Sequence, residues 1–202
     1  AGLVAGLALL FVVALILPPP AAPAASGPPA ASATATASSP SGPAPATPIA
    51  SEDGDTTFHV GQPAPPLRVP QLGGGEIDLV NLRGTPVWLN FMATWCPPCQ
   101  DEFPLLNSFA IRYADTGLVV IAVDVREDVG TVNAFAQAFN VSFPMGLDED
   151  GAAQRAWGAW ALPVHYWIDR DGIVRDGALG GIGPDLMIAG LEKILPGVVI
   201  EP

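Results

Sequence analysis

Val87-Trp88-Leu89-Asn90-Phe91-Met92-Ala93-Thr94-Trp95-Cys96-Pro97-Pro98-Cys99 is the stretch that decides how this chain folds. Pro86 to Met92 forms an apolar run of strand length, as expected for a strand covered on both faces. The two cysteines then stand on either side of two prolines. Proline is tolerated in the first turn of a helix because the donor it lacks has no partner there. The pattern therefore predicts a buried strand ending near Met92 and a helix beginning at Pro97. Thiols three positions apart at a helix start can close a small disulfide ring, and only one of them needs exposure. Cys96 would lie beside unpaired backbone N–H groups and the positive end of the helix dipole, which favour thiolate over thiol. Cys99, one turn further in, would be the more buried, resolving thiol.

Working outward, Pro97 to Tyr113 reads as a helix, with Phe103, Leu106, Phe109, Ala110 and Tyr113 at three- and four-residue spacing. Pro104 lies inside it and is expected to kink it. Leu118 to Val125 is a second buried strand, followed by a helix from Val129 to Phe139 and a short one from Asp150 to Ala156. Val164 to Ile168 and Ile173 to Asp176 form a hairpin around Asp169-Arg170-Asp171-Gly172. Pro184 to Leu195 closes the chain with a helix. Upstream, Leu67 to Val69 and Glu76 to Leu79 alternate like short strands around Gly73-Gly74-Gly75. This order predicts an α/β mixed sheet with helices on both faces, and strand–helix–strand makes a right-handed parallel crossover the default.

The remaining chain separates sharply by charge. Of 202 residues, 8 are Lys or Arg and 20 are Asp or Glu, giving a net charge of −12, and none of these precedes Glu52. An acidic surface argues against nucleic-acid binding, which needs a positive patch to displace counterions. Ala1 to Leu17 is uninterrupted apolar sequence; as a helix it would reach about 25 Å, slightly short of a ~30 Å hydrocarbon core. It starts without an initiator Met, so the beginning of the run is expected upstream. It reads as a signal peptide or a membrane anchor, and its length and the long spacer after it favour the anchor. Residues 18–57 read as a disordered Pro/Ala/Ser-rich linker, with 10 prolines by Ser51 and little to bury. The folded domain is expected over residues 58–202.

Rival readings of the cysteine pair are weak on chemical grounds. A structural disulfide over so short a span constrains little unfolded-state entropy. Zinc would need two more ligands from His59 and His165 alone, and zinc motifs usually repeat the cysteine pair. Copper capture by the thiols with His165 suits their softness and leaves a metal-delivery module as an alternative. Thiol–disulfide exchange remains the leading chemistry.

The stretch from Val87 to Cys99 closely resembles the TlpA/ResA branch of the thioredoxin superfamily. The resemblance extends back through Gly61-Gln62-Pro63-Ala64-Pro65 and Leu82-Arg83-Gly84, and forward to Glu102-Phe103-Pro104, Phe143-Pro144, Leu162-Pro163 and Ile168 to Gly172. It implies a thioredoxin-like three-layer fold with an extra N-terminal hairpin. It also implies a tethered, extracytoplasmic disulfide reductase, often serving cytochrome c maturation, with a protein disulfide as substrate and a membrane thiol carrier as electron donor. No cofactor is implied.

By position, Cys96 and Cys99 match the catalytic pair. Trp95 belongs to the same motif, Pro163 matches the family's cis-proline, and Glu102 matches a glutamate thought to modulate cysteine titration. Asn90 stands where ordinary thioredoxins keep a buried acid, leaving Glu102 or water as the base. Val164-His165 and Tyr166-Trp167 depart from the family pattern. His165 reads more naturally as a satisfied strand histidine than as a catalytic one. Trp157 and Trp160 read as core or helix-face residues, although Trp160 could line a recognition surface. A peroxiredoxin-type peroxidase shares the Gly61 to Pro65 pattern and is the second alternative. Such enzymes carry Thr or Ser three residues before the reactive cysteine and proline seven before it, where this chain has Ala93 and Leu89.

Overall fold

A computed structural model describes residues 58–202. The signal or anchor segment at 1–17 and the linker at 18–57 lie outside the described residues. Five strands form the central sheet. Val87–Met92 (β3) lies in the middle and pairs in parallel with Val119–Val125 (β4), which pairs in parallel with Met145–Asp148 (β5). On its other side β3 pairs antiparallel with Val164–Ile168 (β6), and β6 antiparallel with Val174–Leu179 (β7). The order is therefore β5-β4-β3-β6-β7, a mixed sheet as the sequence predicts. Arg68–Pro70 (β1) and Glu76–Asp78 (β2) form the separate N-terminal hairpin.

Because strand side chains alternate, each central strand supplies two different cores. Trp88, Val120 and Trp167 are register partners on one face. They pack with Leu106, Phe109, Met187 and Leu191 from Pro97–Arg112 (α1) and Pro184–Ile194 (α4). Leu89, Ile121 and Tyr166 face the opposite way, toward Val132 and Phe135 of Val129–Ala138 (α2) and Trp157 of Ala152–Trp157 (α3). Gly190 lets α4 approach closely, since a Cβ there would lie 2.2 Å from the Trp167 ring.

Several local expectations shift. Leu79 does not extend β2 but opens a 3-10 turn through Leu82, capped by the Asp78 side chain, which accepts from Val80 N–H. Pro104 stands within α1 without ending it. The short helix begins at Ala152, since Asp148 at the end of β5 accepts from the N–H groups of Ala153 and Gln154 (2.9 and 2.7 Å). β5 itself was not anticipated. It is four residues long and includes Gly146, where a Cβ would lie 2.6 Å from Val69 of the hairpin.

Candidate active site

The reactive pair sits where β3 gives way to α1. Cys96 is the N-cap of α1, and a disulfide joins it to Cys99 with a Cα–Cα distance of 5.3 Å. The preceding turn is pinned from three directions. Thr94 donates from its N–H (2.5 Å) and Oγ1 (2.7 Å) to the Glu127 carboxylate, and its carbonyl accepts from Gln100 Nε2 (2.6 Å). Cys96 N–H is spent on Ala93 O (3.1 Å). Pro97 and Pro98 fill the first two helical positions and have no N–H. The free donors expected around the Cys96 sulfur therefore reduce to one in the first turn, Cys99 N–H.

Accessibility also differs from expectation. In this oxidised state Cys96 is only 3% exposed, barely more than Cys99 at 0%. The two thiols are distinguished instead by position. Cys96 lines an open groove of about 490 Å³ with Trp95, Trp160 and Leu162, and Cys99 does not. Trp95 and Trp160 are 67% and 69% exposed, so Trp160 stands at the groove while Trp157 is wholly buried. The Leu162–Pro163 peptide is cis. Pro163 O accepts from Gly180 N–H (2.8 Å), and no backbone partner of Leu162 occurs among the described residues.

Behind the disulfide lies a buried polar cluster. Glu102 is only 5% exposed, so this helix carboxylate is buried and not solvated. Its Oε2 accepts from Ile182 N–H (3.1 Å) and its Oε1 faces Asn90 Nδ2 (3.4 Å). His165 Nε2 approaches the same Oε1 to 3.2 Å, off the line of the ring N–H, so this is an electrostatic contact more than an aligned hydrogen bond. His165 Nδ1 meets Trp88 Nε1 at 3.3 Å and Asn90 Nδ2 at 3.2 Å. His165 is fully buried in this cluster and does not line the groove at Cys96, where soft metal capture by the thiols would take place. His59 contacts Trp157 O (3.3 Å) and stacks obliquely on Tyr166, whose side chain faces the opposite core.

Asp124 and Glu127 were not singled out by the sequence, although an acid inside Leu118 to Val125 is itself a signal. Asp124 is buried, and neither of its oxygens meets a well-aligned donor among the described residues. Burial, and then the Glu127 carboxylate, push its carboxyl up to about 8. It therefore stays neutral at pH 7, beneath the turn that Glu127 holds.

A disulfide at a helix start, beside a groove and a cis X–Pro bond, is the equipment of thiol–disulfide exchange. Comparison with known proteins leads to the same class. The AhpC/TSA family profile matches residues 60–176. Thiol-disulfide oxidoreductase ResA of Bacillus cereus is 34% identical over 139 residues, covering 69% of this chain and 80% of the relative. ResA of Geobacillus thermodenitrificans is 35% identical over 141 residues, covering 70% and 81%. Among solved structures, a putative thiol:disulfide interchange protein DsbE from Chlorobium tepidum superposes with a TM-score of 0.62 at 28% identity, covering 66% of this chain and 95% of that one. The chain belongs to the ResA-related thiol-disulfide oxidoreductases of the thioredoxin superfamily, and Cys96 and Cys99 are its redox-active pair.

Proposed function

We propose that this enzyme works as a protein-disulfide reductase outside the cytoplasm, held at a membrane by residues 1–17. The observation that carries the reading is the asymmetric placement of the two sulfurs: one lines a groove, the other is enclosed behind it. In the dithiol form, Cys96 thiolate attacks one sulfur of a substrate disulfide and the other leaves as a thiolate. Cys99 then attacks Cys96 Sγ, releasing the second substrate thiolate and forming the disulfide seen here. Two electrons pass from enzyme to substrate. A membrane thiol carrier, as the resemblance implies, returns them.

Substrate docking follows from the groove. The indole of Trp95, the indole of Trp160 and the side chain of Leu162 offer apolar contact, while the Leu162 backbone can pair with an extended peptide as an added strand. Pro163 keeps that edge beside the disulfide. Glu102, one helical turn beyond Cys99, takes the proton that Cys99 must lose before it attacks. The resemblance points to apocytochrome c as a client.

The test is a trap with the full chain. Cys99→Ala should accumulate a mixed disulfide through Cys96, and Cys96→Ala should not. Equal trapping by both variants, or by neither, overturns the assignment of roles. Captured apocytochrome c supports the client, and its absence among the captured proteins removes it.

A further inference from the structure

His165 is engaged by neither the groove nor the disulfide, yet it is fully buried at the centre of the cluster that holds Glu102. Its place comes from strand register. His165 on β6 is the partner of Asn90 on β3, and Trp167 is the partner of Trp88. All four side chains therefore project to the face that α1 covers, where Glu102 descends.

The direction of the contacts is fixed by one residue. An indole N–H can only donate. Trp88 Nε1, 3.3 Å from His165 Nδ1, therefore requires Nδ1 to be an acceptor. The amide of Asn90 is oriented accordingly, with Nδ2 at 3.2 Å from the same nitrogen. The single ring proton is left on Nε2, 3.2 Å from Glu102 Oε1. Glu102 is the titratable group brought within ion-pair distance of the ring among the described residues; β3 and β6 present Trp88, Asn90 and Trp167.

We infer that His165 is a positioning residue for Glu102, a role that rests on Glu102 serving Cys99. Ile182 N–H holds Oε2, while Oε1 lies between Asn90 Nδ2 at 3.4 Å and the imidazole Nε2 at 3.2 Å, whose electrostatic pull biases its orientation. Glu102 already borders a hollow lined by Pro98, Asp101 and Gly181, and without the imidazole Oε1 keeps only the longer Asn90 contact against turning into it. The ring does not carry protons onward, because two N–H donors occupy the nitrogen that would have to receive one. In the resolving step the Cys99 thiol proton passes to Glu102, Cys99 sulfur bonds to Cys96 Sγ, and the substrate thiolate leaves with the bonding pair.

The experiment follows the resolving step in the reduced full chain. Glutathione disulfide first loads Cys96, and the appearance of the Cys96–Cys99 disulfide is timed from pH 5 to 9. Glu102→Gln should slow resolution about tenfold near neutral pH and move the profile to higher pH. His165→Leu should slow it in the same direction by about three- to tenfold, and His165→Gln, which keeps an acceptor and a donor, should stay within about twofold of wild type. In the Glu102→Gln background, His165→Leu should add nothing. If His165→Leu does not fold, His165→Asn carries the same expectation, since its shorter amide meets Trp88 and Asn90 but does not reach Glu102. A silent Glu102→Gln overturns the role of Glu102 and this inference with it. An effective Glu102→Gln beside a silent His165 variant overturns the inference alone, as does slowing that persists undiminished without Glu102.

Discussion

Replacing Asp124 by Asn should make stability less sensitive to pH, by an amount that burial sets. The Asp124 carboxyl titrates at about 8 in the fold, against about 3.9 in an unfolded chain. Below about pH 4 both states hold the proton. Between about 4 and 8 the folded chain keeps a proton that the unfolded chain has released, so this group lowers stability as pH rises, and above about 8 the loss is complete. At about 1.4 kcal/mol per unit, the three units from pH 5 to 8 amount to about 4 kcal/mol, or about 2 once the pocket relaxes and admits water. Asn has nothing to release. Urea unfolding of the oxidised full chain and of Asp124→Asn at pH 5 and pH 9 measures the effect. The variant should gain about 2–4 kcal/mol relative to wild type between the two pH values. A wild-type-minus-variant difference that is constant within about 0.5 kcal/mol would refute a neutral buried acid.

Three further substitutions probe the groove, the helix start and the core. Pro98→Ala restores an N–H in the first turn beside Cys96, stabilising the thiolate; the reduction potential should rise by about 30 mV, read by glutathione equilibration, and an unchanged or lower value counts against the donor argument. Trp160→Ala should weaken reduction of a protein disulfide by about 5–30-fold in kcat/KM while leaving glutathione disulfide and Tm unaffected, because the side chain is exposed at the groove. Gly190→Ala drives a methyl into Trp167; overpacking of about 1–3 kcal/mol exceeds the helix-propensity gain, and Tm should fall by several degrees in a thermal melt.

Four of the five strands, and the mixed character of their sheet, were legible because these strands are either continuous apolar runs or bounded by clear turns. Asp169 illustrates the second kind, accepting from Asp171 and Ile173 N–H across the expected hairpin turn. β5 was not legible: Met145-Gly146-Leu147-Asp148 is only four residues long, contains a glycine and has no β-branched residue, and its strand state comes from β4 beside it and the hairpin packed over Gly146. The redox pair could be read from local spacing alone. The cluster around Glu102 could not, since it depends on Asn90 and His165 being register partners across β3 and β6. That pairing is a tertiary fact, and it turns a lone strand histidine into a neighbour of the candidate base. The burial of Cys96 was likewise hidden, because the walls of the groove come from distant parts of the chain.

Position relative to β3 and β6 also separates recognition from proton handling. Asn90 and His165 face α1, inside the domain, whereas Trp95, Trp160 and Leu162 meet at the open end of the sheet. His165 lies within and the exposed Trp160 without. On the proposed mechanism they touch the two half-reactions differently: Trp160 would act when substrate docks, and His165 when Cys99 loses its proton. Combining Trp160→Ala with His165→Leu should therefore give additive losses within about 0.5 kcal/mol, each confined to its own step in stopped-flow traces. A larger coupling would mean that docking at the groove reorganises the buried cluster, and the groove and the cluster would then have to be treated as one site.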